Sequence, residues 1–82
     1  MNSIEVLLFG GIRAQMRRES LTHEVEDSLS CAALLDQLAA EHPVIHRYRA
    51  ALRVAVNGEY VQGHDLVRPG DEVALIPPVA GG

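Results

Sequence analysis

The two most apolar strand-like runs of this chain stand near its opposite ends, Ser3-Ile-Glu-Val-Leu-Leu-Phe9 and Glu72-Val-Ala-Leu-Ile76, with one Leu-rich amphipathic segment between them. That arrangement restricts the fold more than any other feature. Runs rich in β-branched and apolar residues need a hydrogen-bonding neighbour and a cover on at least one face. In 82 residues there is room for one core to supply both. One topology compatible with the pattern places the first and last strands side by side and parallel at the centre of a sheet, because these are the two most apolar, with the amphipathic segment packed across it; periodicity alone does not fix that pairing. The expected class is α+β, a mixed sheet grasping one main helix with short helices beside it.

The local signals fill in this frame. Gly10-Gly11 closes the first run, and Ile12 and Met16, four apart among Arg13, Arg17 and Arg18, predict a short helical turn over the sheet. Leu21, His23 and Val25 alternate with Thr22, Glu24 and Glu26 as a half-exposed second strand. Ser28 or Ser30 is suited to cap the main helix, whose Cys31, Leu34, Leu35 and Leu38 share one face while Asp36, Gln37 and Glu41 share the other. His42-Pro43 ends it, because the residue before proline is pushed out of the helical region. Val44, Ile45, Tyr48 and Leu52 repeat the amphipathic spacing in a second short helix, with Arg47, Arg49 and Arg53 outward. Asn57-Gly58 is a type I′ hairpin signal between two short strands, and Arg68-Pro69-Gly70-Asp71 reads as a turn leading into the last strand. The expected order is β-β-α-(α)-β-β-β, with residues 1–76 as the domain and residues 77–82 as a flexible C-terminal tail.

Composition removes several functions. With 48% hydrophobic and 22% charged residues the chain is expected to fold, yet a domain this small buries only about 60% of its unfolded surface. Function through a surface or an end is expected, not through a deep private catalytic cavity. A net charge of −4 provides no basic stripe for neutralising phosphates, which sets nucleic-acid binding aside. The apolar stretch at residues 6–9 is too short for a signal peptide or a membrane span, so no membrane association is expected and the cytoplasm is the expected location. Cys31 is the single cysteine, and no CxxC or paired Cys/His spacing is present; it reads as a buried structural thiol. His42 and His46 have the i,i+4 spacing of a metal pair, but Pro43 stands between them, and no metal site is expected. His23 and His64 have no carboxylate, Ser or Cys partner that sequence assigns, so no catalytic constellation is visible. All seven basic residues are Arg.

What remains is the C-terminal Gly81-Gly82, directly behind a Val-Ala-Leu-Ile-Pro-Pro run. Two residues without Cβ atoms let a backbone pass through a channel too narrow for side chains. The six residues from Pro77 to Gly82 span roughly 20 Å when extended at about 3.3–3.6 Å each. Ordering the last four costs roughly 4–8 kcal/mol of backbone entropy, so such an arm is a poor anchor alone. Strand alternation indicates where the domain body can help. If Val6, Leu8, Val73 and Leu75 face the helix, then Leu7, Phe9, Ala74 and Ile76 face outward, and Tyr60 joins them.

Together these residues resemble the small subunits of molybdopterin synthase, which are ubiquitin-like β-grasp sulfur carriers. The matching pieces are Val6-Leu-Leu-Phe9 with Ile12-Arg13, Ser30-Cys-Ala-Ala-Leu-Leu35, Val54-Ala-Val-Asn57, and Gly70-Asp-Glu-Val-Ala-Leu-Ile-Pro-Pro-Val-Ala-Gly-Gly82. The last block is the specific one; the helix block would fit any capped Leu-rich helix. Gly10-Gly11 departs from the Ala or bulkier residues usual after the first strand. The resemblance implies a β-grasp fold and a chemical site at the carboxylate of Gly82, reached through Gly81. An ATP-using, E1-like adenylyltransferase would convert that carboxylate to an acyl adenylate, sulfur from a persulfide-bearing donor protein would replace AMP, and the product would be a thiocarboxylate. The chain itself is expected to bind no cofactor. The carrier would then dock on the large catalytic subunit of the synthase, in a heterotetramer, and give its sulfur to a cyclic pyranopterin precursor in molybdenum cofactor biosynthesis. Phe9, Tyr60 and Ile76 correspond to a hydrophobic docking face, and Pro77, Pro78, Val79 and Ala80 to the arm that enters the partner. Burying three such side chains yields roughly 1.5–3 kcal/mol each, comparable with the ordering cost of the arm. A carrier for thiamin thiazole or cysteine synthesis, or a ubiquitin-like modifier joined through Gly82 to lysines of other proteins, would share the fold and the diglycine.

Overall fold

A computed structural model of the chain describes residues 2–78. The first strand, β1 (Ser3–Leu8), buries alternate residues Ile4, Val6 and Leu8, as a strand covered on one face must. A short helix, α1 (Gly10–Met16), lays Ile12 into the core and closes at Arg17 in the left-handed conformation, whose N–H bonds the carbonyl of Arg13. Strand β2 (Ser20–Glu24) returns antiparallel to β1, with Val6 opposite Leu21 and Ile4 opposite His23.

The main helix, α2 (Cys31–Glu41), starts where the Ser30 hydroxyl accepts the N–H of Ala33 at 3.1 Å, which resolves the Ser28 or Ser30 alternative in favour of Ser30. Cys31, Leu34, Leu35 and Leu38 are its buried stripe. His42 is extended at φ −130°, ψ 104°, as the residue before a proline prefers, and Pro43 opens α3 (Pro43–Tyr48). A 3₁₀ turn, Arg49–Ala51, then leads into the hairpin of β4 (Arg53–Val56) and β5 (Glu59–Val61). Asn57 and Gly58 both have positive φ, 51° and 86°, the condition that a type I′ turn imposes. The Asn57 side chain ties this turn to the final strand: its Oδ1 accepts the N–H of Glu72 at 3.0 Å, and its Nδ2 donates to Asp71 at 3.1 Å.

The final strand, β7 (Glu72–Ile76), lies between β1 and β4, so the main sheet has the order β2-β1-β7-β4-β5. Its pairing with β1 is parallel and with β4 antiparallel, as expected for the two most apolar strands. Val6, Leu8, Val73 and Leu75 are all buried beneath the helices. This is the ubiquitin-like β-grasp arrangement.

Three features differ from the sequence expectation. Strand β1 ends at Leu8, and Phe9 becomes the residue from which α1 starts, because the backbone turns at Gly10 with φ 55°. A second small sheet joins β3 (Leu29–Ser30) to β6 (Leu66–Val67), pairing Leu29 with Val67. Two-residue strands are too short to show alternation, and only the return of the chain past α2 brings them together. Arg49 is not a solvated outward residue: its guanidinium donates to Asp36 Oδ1 at 2.6 Å and to the Ala32 carbonyl at 3.4 Å, clamping the 3₁₀ turn that follows α3 to α2.

Candidate functional site

The end of β7 is where the fold delivers the chain to its C-terminal residues. Leu75 is fully buried, Ile76 half-buried, Pro77 buried and Pro78 exposed, so burial ends at Pro78. Val79, Ala80, Gly81 and Gly82, to which the sequence assigns the arm and its reacting carboxylate, lie outside the described residues.

Behind that exit, strand register builds an apolar row across the outer face of the sheet. Leu7 stands opposite Ala74, Ala74 opposite Ala55, and Ala55 opposite Tyr60. Tyr60 is 66% exposed at the sheet edge, and the Arg53 guanidinium lies over its ring, 5.7 Å from the centroid. Arg53 is in turn the ladder partner of Ile76. On the other side of the row, Glu5 faces Glu72 across the parallel ladder, and Thr22 donates to Glu5 Oε1 at 3.2 Å. The face is therefore an apolar strip with two carboxylates along one margin and a guanidinium at the other.

Phe9, 41% exposed, does not sit beside Tyr60; it stands with Ile76, Pro77 and Pro78 around a recess of about 550 Å³. Tyr60 instead borders a separate hollow of about 410 Å³ with Arg53, Leu52 and Gln62. The predicted docking residues thus fall into two groups on one continuous surface, joined through Ile76 and Arg53.

Gly10 and Gly11, together with Tyr48, are lining residues of the recess that the sequence reading did not place in the site. A Cβ on Gly10 would come within 2.9 Å of the Pro77 ring, and one on Gly11 would overlap the Tyr48 hydroxyl. The glycine pair therefore lets the exit proline and the α3 tyrosine close in on bare backbone. The Tyr48 hydroxyl accepts from Gln15 Nε2 at 3.0 Å, and Arg47 donates to Gln15 Oε1 at 2.7 Å, so α1 and α3 are locked together at this corner. The departure from bulkier residues after the first strand was the available signal, but its partner lies 37 positions along the chain, from Gly11 to Tyr48.

Two further reactive side chains, Cys31 and His23, are occupied structurally. Cys31 is 2% exposed, and burial pushes its thiol above the usual range, with nearby Arg49 opposing and Asp65 adding to that rise. His23, for which the sequence assigns no partner, is buried with its Nε2 2.8 Å from Gln37 Oε1, bracing β2 against α2. Among the described residues no group of three or more His, Cys, Asp or Glu is placed to hold a metal ion, and no helix is long and apolar enough to cross a membrane.

Comparison with known proteins follows the same outline. Residues 6–82 match the model of the ThiS family. The chain is 37% identical over 81 residues to the molybdopterin synthase sulfur carrier subunit of Chlamydomonas reinhardtii, covering 96% of this chain and 98% of that protein. The crystal structure of the small archaeal modifier protein SAMP1 from Haloferax volcanii superposes with a TM-score of 0.83 at 28% identity, covering 98% of this chain and 99% of that one. One chain of the complex of subunits 1 and 2 of the molybdopterin-converting factor from Helicobacter pylori shares the fold, with a TM-score of 0.69 at 23% identity over 98% of this chain and 99% of that one. With its first and last strands paired at the sheet centre and this likeness extending through residue 82, the chain belongs to the ThiS family, among the sulfur carrier subunits of molybdopterin synthase.

Proposed function

We propose that this chain carries sulfur as a thiocarboxylate on Gly82 and delivers it within a molybdopterin synthase. The observation that carries the reading is the exit of the central strand β7 at Pro78, directly beside an exposed apolar face, combined with the likeness to sulfur carrier subunits through Gly82. An ionised carboxylate, with a pKa of about 3.5, is a poor electrophile at neutral pH. An E1-like enzyme would therefore join it to ATP, releasing pyrophosphate and leaving an acyl adenylate. A protein persulfide attacks the acyl carbon, AMP departs, and a thiol reductant cleaves the acyl disulfide to leave the thiocarboxylate. The charged carrier then docks on the large catalytic subunit, where its sulfur bonds to a cyclic pyranopterin precursor and water hydrolyses the remaining acyl–sulfur bond, so that the carrier returns as a carboxylate. In this scheme Phe9, Tyr60 and Ile76 supply recognition, residues 77–80 supply reach, and Gly81-Gly82 supply passage to the reacting group.

The test is intact-mass analysis after incubation with the activating enzyme, ATP and a sulfur source. A sulfur-for-oxygen mass gain confined to the C-terminal peptide is expected; its absence with an enzyme that charges a control carrier overturns the proposal. A second reading is favoured by the likeness to the archaeal modifier: the same activated Gly82 joined to amines of other proteins. A ladder of covalent conjugates in cells supports it, and a single unconjugated band counts against it. The absence of Lys rules out lysine-linked chains of this protein upon itself.

A further inference from the structure

All seven basic residues of the chain are Arg, so residues 1–82 hold no side-chain primary amine. The fold places two of these arginines where the last strand ends. Arg53 is the ladder partner of Ile76, is exposed, and lies over the Tyr60 ring at 5.7 Å from the centroid. Arg47 donates to Gln15 Oε1 at 2.7 Å, and Gln15 in turn donates to the hydroxyl of Tyr48, which lines the recess.

Position 53 stands within reach of the C-terminal carboxyl. Paired strands lie about 4.8 Å apart, so its Cα is at most about 12 Å from that of Pro78. Four residues follow Pro78, a reach of at most about 14 Å at full extension. Because the ladder of β4 and β7 has already brought residues 53 and 76 together, only a short loop of residues 77–82 remains to close. A nucleophile at position 53 would be tethered to Gly82 at an effective concentration on the order of millimolar, whatever the dilution.

Arginine and lysine differ sharply in such a place, although both supply a positive charge that rests on the Tyr60 ring. A lysine amine, with a pKa of about 10.4, keeps a small neutral fraction whose lone pair would attack the acyl adenylate of Gly82. A nitrogen–carbon bond would form, the carbon–oxygen bond to AMP would break, AMP would leave with the electron pair, and the nitrogen would give its surplus proton to water. The product is a lactam, closed on its own domain and lost to sulfur transfer. A guanidinium stays protonated and its lone pairs are delocalised, so it brings the charge without the nucleophile.

We propose that Arg53 is a specificity-determining residue: it keeps a cation beside the end of β7 while denying the activated Gly82 an acceptor on its own domain. The inference rests on the activation of Gly82 in the carrier reading above.

The experiment compares Arg53→Lys with Arg68→Lys and the wild type, each as the full chain. Arg68 belongs to the turn whose Gly70 N–H bonds the Ser3 carbonyl, at the opposite end of the sheet. Both changes keep the charge at exposed positions, and circular dichroism is expected to match the wild type. Each protein is incubated with the activating enzyme and ATP, with and without a sulfur source, then analysed by intact mass and peptide mapping. Without the sulfur source, Arg53→Lys is expected to accumulate a species lighter than the carboxylate form by one water, with a new amide joining position 53 to Gly82. Its yield should exceed that of Arg68→Lys about tenfold or more, and with the sulfur source its thiocarboxylate yield should fall in step. If Arg53→Lys takes up sulfur as the wild type does and forms no lactam, the inference is overturned and the carrier reading stands. Equal lactam from both variants overturns the role of position 53. If the wild type takes up no sulfur from an enzyme that charges a control carrier, the carrier reading falls and the inference with it.

Discussion

Leu8 stands opposite Leu75 across the parallel ladder that joins the first strand to the last, and both side chains are buried. This contact closes the sheet over most of the chain length, so its loss cannot be absorbed locally. Leu75→Ala is expected to cost about 2–5 kcal/mol, a large fraction of the stability of a domain of this size. Urea unfolding followed by circular dichroism measures it, and a loss below about 1 kcal/mol would contradict the central placement of β7.

Ser30 and Ser28 compete in sequence for one capping role, and the hydroxyl of Ser30 holds it. Ser30→Ala is expected to lower stability by about 1 kcal/mol. Ser28→Ala, at an exposed position, should change it by less than about 0.5 kcal/mol. Parallel denaturation of the two variants distinguishes the caps.

Burial of Cys31 raises its thiol above the ordinary value of 9.0, so the folded state holds this proton more tightly than the unfolded state does. The contribution of the group to stability is then complete below the unfolded value and is lost as pH climbs through the folded one. Above about pH 9, wild-type stability should fall more steeply than that of Cys31→Ala. At neutral pH, iodoacetamide should label Cys31 slowly in the native protein and rapidly in urea; equal rates would contradict the burial.

Ile76 is half-buried beside Arg53, on the face assigned to docking. Ile76→Asp removes an apolar contact and sets a carboxylate against an apolar partner, so affinity for the large subunit should drop tenfold or more. Thermal unfolding should show the fold retained. Tyr60→Ala should weaken binding to a smaller degree, since at 66% exposure Tyr60 stands at the rim of the face. Unchanged affinity in both variants would place the docking surface elsewhere.

The sheet was legible because its signals are local. Which residues of β1 and β7 enter the core follows from the two-residue alternation of side chains along a strand, and the type I′ turn follows from Asn57-Gly58 alone. The proline after His42 likewise marks the end of α2 without reference to anything distant. The outward direction of Leu7, Ala74 and Ile76 came from the same alternation.

The chain by itself thus determined the five strands of the main sheet, the main helices, the buried faces and the family, because period, capping and turn chemistry are written within a few consecutive residues. Tertiary structure alone decided what meets across long separations. It set Tyr48 over Gly11, Gly10 under Pro77, Gln37 beside His23, and β3 alongside β6. Such contacts arise from how layers pack, and neither partner carries a local mark of the other. That is why Gly10-Gly11 reads in sequence as a departure from pattern and in three dimensions as the floor of the recess where the central strand leaves the fold.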